Sequence, residues 1–403
     1  MRILHTSDWH LGRSFHRVDL LQAQASVLDH LVSVVRSEGV DVVLIAGDVY
    51  DRALPPVDVV ALLDDALARL AAAGAAVVLT SGNHDSPLRL GFAARLLEAA
   101  RVHVRTDPAR LADPVLLEDT HGPVAIYPLP YLEPALVADV LGAERSHTSV
   151  LRAAAERVLA DLRSRPAGTR SVVAAHAFVV GGAASDSERD ISVGGVGQVP
   201  ASVIDGEDYV ALGHLHGRQR LAETVRYSGS PLAYSFSEAG QTKGGWLVEL
   251  GARGVQAVHP VDAPVPRPLA RLSGRLADLL ADARHRPAEQ AWCQVTLTDP
   301  VRPAEAMQRV RSRFPHTLEL RFAPEGAGAA GEQTYSARVT GRDDLSVCCG
   351  FLQHVRGREA TDAEVDLLRQ ALEGQRQVEP LRPEPEVPPG ALPFGGTPLE
   401  AAG

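Results

Sequence analysis

Five short polar clusters carry the residues able to do chemistry: Asp8-Trp9-His10, Gly47-Asp48-Val49-Tyr50-Asp51, Gly82-Asn83-His84-Asp85, Ala175-His176 and Gly213-His214-Leu215-His216. Any one of them alone reads most simply as an ordinary turn. Together they supply carboxylate oxygens, an amide oxygen and neutral imidazoles, a mixture that suits first-row divalent cations, and a carboxylate can bridge two of them. A single cation would not need so many ligands. Two cations roughly 3.5 to 4 Å apart can clamp both the attacking and the leaving oxygen of an in-line displacement at phosphorus. Phosphoester hydrolysis is the reaction this donor set predicts. The glycines before Asp48, Asn83 and His214 would let the chain turn tightly and bring each loop close to a metal.

Each cluster directly follows a short apolar, β-branched run: Arg2 to Leu4, Val42 to Ile45, Val77 to Leu79, Val172 to Ala174 and Tyr209 to Leu212. An open α/β sheet presents its ligand-binding loops at such strand ends. Between the first runs, residues 20–36 place Leu21, Val27, Leu28, Leu31 and Val35 near helical spacing, and residues 57–73 form an Ala-rich second helix. A layered α/β domain over residues 1–262 follows. Residues 260–268 hold four prolines and mark a boundary. Beyond it, residues 268–342 read as a small αβαβ cap, with strands at Cys293-Val295-Leu297 and Leu318-Leu320-Phe322 and a flexible loop at 326–331. Residues 343–376 are helical. There Thr361 and Glu364 have capping-box spacing, Val365, Leu368 and Leu372 form an apolar stripe, and a stop is expected before Gly374. The Pro- and Gly-rich residues 377–403 predict a disordered tail.

With 403 residues, 45% hydrophobic and 22% charged, the chain can bury a large core. The net charge of -10 excludes a stand-alone, non-specific DNA coat, though not a nuclease assisted by metal cations or a basic partner. Lys243, the only lysine, lies outside any Walker A loop, so the chain is not itself a P-loop ATPase. Cys293, Cys348 and Cys349 have neither disulfide nor zinc-ribbon spacing and are expected as free thiols. No signal peptide or membrane span is evident, which predicts a soluble cytoplasmic protein.

The order D-x-H, G-D-x-x-D, G-N-H-D, a lone His and G-H-x-H resembles the calcineurin-like metallophosphoesterases. The segments MRILHTSDWHLG, AGDVYD, SDSERDI, ALGHLH and VRYSGSP look, more narrowly, like the double-strand-break repair nucleases that partner Rad50-like ATPases. That resemblance implies a calcineurin-like β-sandwich flanked by helices, with a small α+β cap that positions DNA. It implies a DNA nuclease with two divalent ions, Mn2+, an ATPase partner docking on residues 343–376, and a homodimer within a heterotetramer. Carried over residue by residue, Asp8, His10, Asp48 and His216 would hold one metal, and Asp48, Asn83, His176 and His214 the other. His84 would be the catalytic histidine that contacts the scissile phosphate and protonates the leaving oxygen. Asp51 would support His84 through its carboxylate, fixing the tautomer; Asp85 would either compete for that role or, the favoured reading, cap the helix after Ser86-Pro87. Alanines frame His176 where relatives more often carry a glycine and a polar residue. Arg13, Arg17, Arg52, Arg89 and Arg189 lie near the loops but read as surface arginines. A general hydrolase of small phosphate esters and a metal-free binding scaffold are the competing readings; the filled ligand positions weigh against the scaffold.

Overall fold

The apolar runs form the middle of two six-stranded sheets in a computed structural model that describes residues 1–188, 198–204, 206–325, 343–356 and 358–377. The first sheet has the order Gly254–Asp262, Gly244–Gly251, Arg2–Thr6, Val42–Ala46, Ala76–Thr80, Val102–Arg105. Its last four strands are parallel, and Gly244–Gly251 adds antiparallel to Arg2–Thr6. The second runs Gln219–Arg220, Val225–Tyr227, Tyr209–Gly213, Arg170–His176, Gly122–Leu129, Val115–Asp119, parallel from Val225–Tyr227 to Gly122–Leu129.

Side-chain alternation explains the layering. Val42, Leu44 and Ala46 point into a cluster shared with Val172, Ala174, Tyr209 and Ala211 of the second sheet, whereas Val43 and Ile45 point the other way into a helix-covered cluster. Strands buried on both faces read as unbroken apolar runs, which is why they are visible in the sequence. The helix Leu21–Glu38 covers the outer face with Val27, Leu28, Leu31 and Val35 and ends at Gly39 in the left-handed conformation. Val57–Ala72 lies beside it through Val59, Leu63 and Leu70. The helices Pro134–Leu141 and His147–Ser164 cover the second sheet's outer face, completing an α/β/β/α sandwich.

The small sheet has three parallel strands, Leu269–Gly274, Trp292–Leu297 and Thr317–Phe322. The first of these is not among the expected strands, so the cap is βαβαβ in the described residues. Leu269, Trp292 and Leu318 pack against the helix-covered cluster of the first sheet. Contacts divide the chain into compact units Met1–Glu325 and Gly326–Gly403. In the second unit, Glu364 accepts hydrogen bonds from Thr361 N at 2.8 Å and Oγ1 at 3.0 Å, which is the glutamate half of the expected capping box at the start of Asp362–Gln377. That helix continues through Gly374, contrary to the predicted stop, because one glycine among helix formers costs only about 1 kcal/mol. The loop at 326–331, the rest of the cap to residue 342 and the tail from 378 lie outside the described residues. The three cysteines are free thiols, and no helix among the described residues is long and apolar enough to cross a membrane.

Candidate metal centre

All five clusters converge where the C-terminal ends of the central parallel strands of both sheets meet. Asp8 and His10 follow Arg2–Thr6, Asp48 follows Val42–Ala46, and Asn83 and His84 follow Ala76–Thr80, all in the first sheet. His176 ends Arg170–His176, and His214 and His216 follow Tyr209–Gly213 in the second. Asp8, His10, Asp48, His176, His214 and His216 are buried, and Asn83 and His84 are half-buried.

The donor atoms face one another. His10 Nε2 lies 3.1 Å from His216 Nε2 and 3.6 Å from Asp48 Oδ2. On the other side, His176 Nε2 lies 3.4 Å from Asp48 Oδ2 and 2.8 Å from Asn83 Oδ1. Asp48 thus stands between the His10–His216 pair and the His176–Asn83 pair, where a bridging carboxylate would be placed. Asp8-His10-His216, His10-Asp48-His84 and Asp8-Asp48-His176 each bring their ligand atoms within 4.8 Å. The His214 ring lies 5.3 Å from that of His176, and its backbone N–H donates to both Asp8 oxygens at 3.1 Å.

The electrostatics of this nest fit cations. Burial pushes Asp8 up to about 6, against the pull of His176 and His216. Burial also works to raise Asp48, but His176 and His10 outweigh it and hold this carboxyl well below its usual range. For His176, burial favours the neutral ring, yet the charge of Asp48 wins and pushes it up to about 9. Burial keeps His10 neutral and lowers His214 to about 3. Neutral imidazoles and buried carboxylates are metal-binding forms, and a cation between Asp48 and His176 would supply the positive charge that the buried Asp48 carboxylate otherwise draws from the ring.

The backbone is strained to achieve this. Asp8, His10, Asp48 and His214 have φ of 53°, 43°, 47° and 104°, in the region that side chains other than glycine's rarely adopt. The glycines of the loops serve close approach rather than turning alone. A Cβ on Gly47 would lie 2.4 Å from His176 Nδ1, one on Gly82 2.1 Å from Asp48 Oδ1, and one on Gly213 1.9 Å from the Ala46 oxygen.

Two expected roles are corrected. The His84 Nδ1 bond goes to the main-chain oxygen of Asp51 at 2.9 Å, not to its carboxylate. That carboxylate instead faces His10 Nδ1 at 3.6 Å and Arg13 at 3.7 Å. Asp85 does not cap the following helix, whose first turn has no side-chain cap. Its oxygens accept from the backbone N–H groups of Val49, Tyr50 and Gly82 at 3.1, 2.8 and 2.9 Å, pinning the Asp48 loop to the Asn83 loop. Burial, with the nearby charge of Asp48, pushes the Asp85 carboxyl up to about 7.

Supporting residues escape the sequence reading. Gln24, inside the first helix, donates to the His10 oxygen at 2.7 Å and accepts from Gly12 N at 2.9 Å; a polar residue at a helical position gives no signal of this. Glu238, Ser187 and Glu188 gather behind His216. The SDSERDI motif carries no role legible in its sequence, and residues 189–191 of it lie outside the described residues, as does Arg189. Arg13 is engaged by the Ser187 oxygen at 2.8 Å.

Solved structures similar to this chain include three of low identity. TT1561 of Thermus thermophilus shares 14% identity over 65% of this chain and 98% of its own, with a TM-score of 0.39. A dimetal phosphatase from Danio rerio shares 13% over 66% and 99%, with a TM-score of 0.37. GAP50, the anchor in the inner membrane complex of Plasmodium, shares 11% over 81% and 98%, with a TM-score of 0.36. The family comparisons carry the assignment. Residues 265–356 match the type 5 capsule protein repressor C-terminal domain, and residues 1–218 match the calcineurin-like phosphoesterase model. Together the two matches are consistent with an SbcD nuclease subunit. With more than half of its 403 residues matched by the phosphoesterase model, and with the Asp and His clusters such enzymes use for divalent metals, the chain belongs to the calcineurin-like phosphoesterase family.

Proposed function

We propose that this chain is an SbcD-like DNA nuclease subunit, hydrolysing DNA phosphodiester bonds with two divalent ions, Mn2+. In this reading an SbcC-type, Rad50-like ATPase gates a double-strand 3′ to 5′ exonuclease and a single-strand or hairpin endonuclease, serving DNA repair, replication and recombination in the cytoplasm. The observation that carries it is the pairing, in one chain, of a phosphoesterase match with a second match over residues 265–356. A hydrolase of small esters needs no such second domain.

Asp8, His10, Asp48 and His216 would hold one ion, and Asp48, Asn83, His176 and His214 the other. Bound there, the ions would supply Lewis-acid charge to the attacking and leaving oxygens of an in-line displacement. His84 has a separate task. The Asp51 carbonyl can only accept, so His84 Nδ1 carries a hydrogen and Nε2 is left for the phosphate. To protonate the leaving oxygen, His84 must therefore enter the step as imidazolium, with Nε2 delivering its proton. An exposed apolar patch supports the homodimer: Leu88, Phe92 and Leu96, within one short stretch of chain, are 90%, 81% and 77% exposed. Arg89, in the same stretch, reaches the Ala53 oxygen at 3.4 Å.

The test is cleavage of a labelled hairpin and of single-stranded DNA by the purified chain with Mn2+, beside His84→Ala and a p-nitrophenyl phosphodiester. DNA cleavage that requires Mn2+ and vanishes in His84→Ala, with metal content retained, is the expected result. Turnover of the small ester without DNA cleavage, even with the ATPase partner and ATP, would overturn it.

A further inference from the structure

The chain's only lysine is buried behind a proposed metal ligand. Lys243 is 6% exposed and pairs with Glu238, which is 0% exposed. A buried ion pair is a costly way to gain stability, because two charges must leave water, so its place in the fold invites a functional account.

We propose that Glu238 and Lys243, acting through Ser187, are positioning residues that set the tautomer and orientation of His216 at the metal centre. The proposal rests on the reading of His216 as a metal ligand.

Donor and acceptor roles can be followed atom by atom. The Lys243 ammonium has three hydrogens, and its partners are Glu238 Oε2, the His216 main-chain oxygen at 2.7 Å and Gln241 Oε1 at 3.0 Å. Glu238 Oε1 accepts from the Ser187 hydroxyl and from Ser185 Oγ at 3.2 Å, while Oε2 faces Tyr234 N at 3.3 Å. A carboxylate can only accept, so the single Ser187 hydrogen is spent on Glu238. The Ser187 oxygen, 2.6 Å from His216 Nδ1, must then accept, and Nδ1 must carry the ring hydrogen. His216 Nε2 is left with its lone pair facing the cluster, 3.1 Å from His10 Nε2. The main chain of His216 is held as well, its N–H by Glu188 Oε1 at 2.7 Å and its carbonyl by Lys243. Carboxylates behind metal-binding histidines commonly do this work, and their loss typically weakens metal binding about 10- to 100-fold.

Glu238→Gln reverses the logic, because its amide can donate to Ser187 and free the hydroxyl to donate to Nδ1, moving the ring hydrogen to Nε2. It also strands the Lys243 charge, so the double variant Glu238→Gln/Lys243→Met, which removes both charges, controls for folding. Ser187→Ala is a third and milder probe. The full chain is titrated with Mn2+ by equilibrium dialysis and with Co2+ by visible absorption. The expected result is two equivalents in the wild type, with one weakened about 10- to 100-fold in all three variants and its Co2+ bands altered. The double variant should recover thermal stability without recovering metal affinity. Two tight equivalents with unchanged Co2+ bands in Ser187→Ala and in the double variant would overturn the proposal. Failure of the underlying reading looks different: the wild type binds no metal, or His216→Ala keeps both equivalents.

Discussion

Gly82→Ala tests how closely the loops must approach. An added Cβ would stand 2.1 Å from Asp48 Oδ1 and 2.3 Å from Asp48 N, so the two loops must part by about 0.9 Å to reach a 3.0 Å contact. The backbone at Gly82 is not left-handed, so crowding, not φ, is the cost. Asp48 cannot yield freely: its Oδ1 accepts from His84 N at 2.9 Å and its main-chain oxygen from His10 N at 3.0 Å. The displacement therefore passes into the carboxylate that the two ions would share. Overpacking of this kind costs about 1–3 kcal/mol of stability, and a misplacement of about 1 Å at a reacting centre costs about 100-fold in rate. The control is Gly74→Ala, strained by its φ of +105° but with nothing within 4 Å. Gly74→Ala should lose stability and keep its metal affinity and turnover; Gly82→Ala should lose all three. The assays are calorimetry, Mn2+ equilibrium dialysis and single-turnover cleavage. A Gly82→Ala protein that binds Mn2+ and turns over within about threefold of wild type would refute the reasoning.

Three further outcomes follow from the contacts. Asp51→Asn should lower turnover less than about tenfold with metal content intact, because the main chain, not the carboxylate, holds His84; a loss near that of His84→Ala would restore the carboxylate to the catalytic role. Asp119 is held well below the usual carboxylate range by the Arg170 guanidinium and the Met1 ammonium. Since its folded value lies below the unfolded value of about 3.9, its contribution is present above that pH and is lost as pH falls through the folded value. The Tm deficit of Asp119→Asn in chelated protein should accordingly be full at neutral pH and shrink in acid; a deficit independent of pH would contradict the assignment. Phe92→Glu, at an exposed position, should leave Tm nearly unchanged and turn dimers into monomers by sedimentation, and a monomeric wild type would remove the basis for the dimer.

The central strands are legible because burial on both faces leaves uninterrupted apolar runs, as in Val42 to Ile45. Leu269–Gly274 is not, since Arg271 and Ser273 break the run and prolines precede it. The same division holds at the site. Residue types after strands point to Asp8, His10, Asp48, Asn83, His176, His214 and His216, which the fold brings together. Their left-handed backbones, and the glycines cut away to admit neighbouring ligands, depend on contacts between distant segments and leave no local trace. Asp85 shows the limit: next to Ser86-Pro87 it looks like a cap, but its partners Val49 and Tyr50 lie more than thirty residues away.

The split of the donors between two sheets has a thermodynamic consequence. Asp8, His10, Asp48 and Asn83 belong to one sheet, and His176, His214 and His216 to the other, so ions shared among them would act as staples across the sandwich interface. Coordination and sheet docking would then be one cooperative event, in which prying the layers apart and releasing the ions are the same transition. Neither layer would retain half of the chemistry, and occupancy of the centre would gauge whether the two layers are closed.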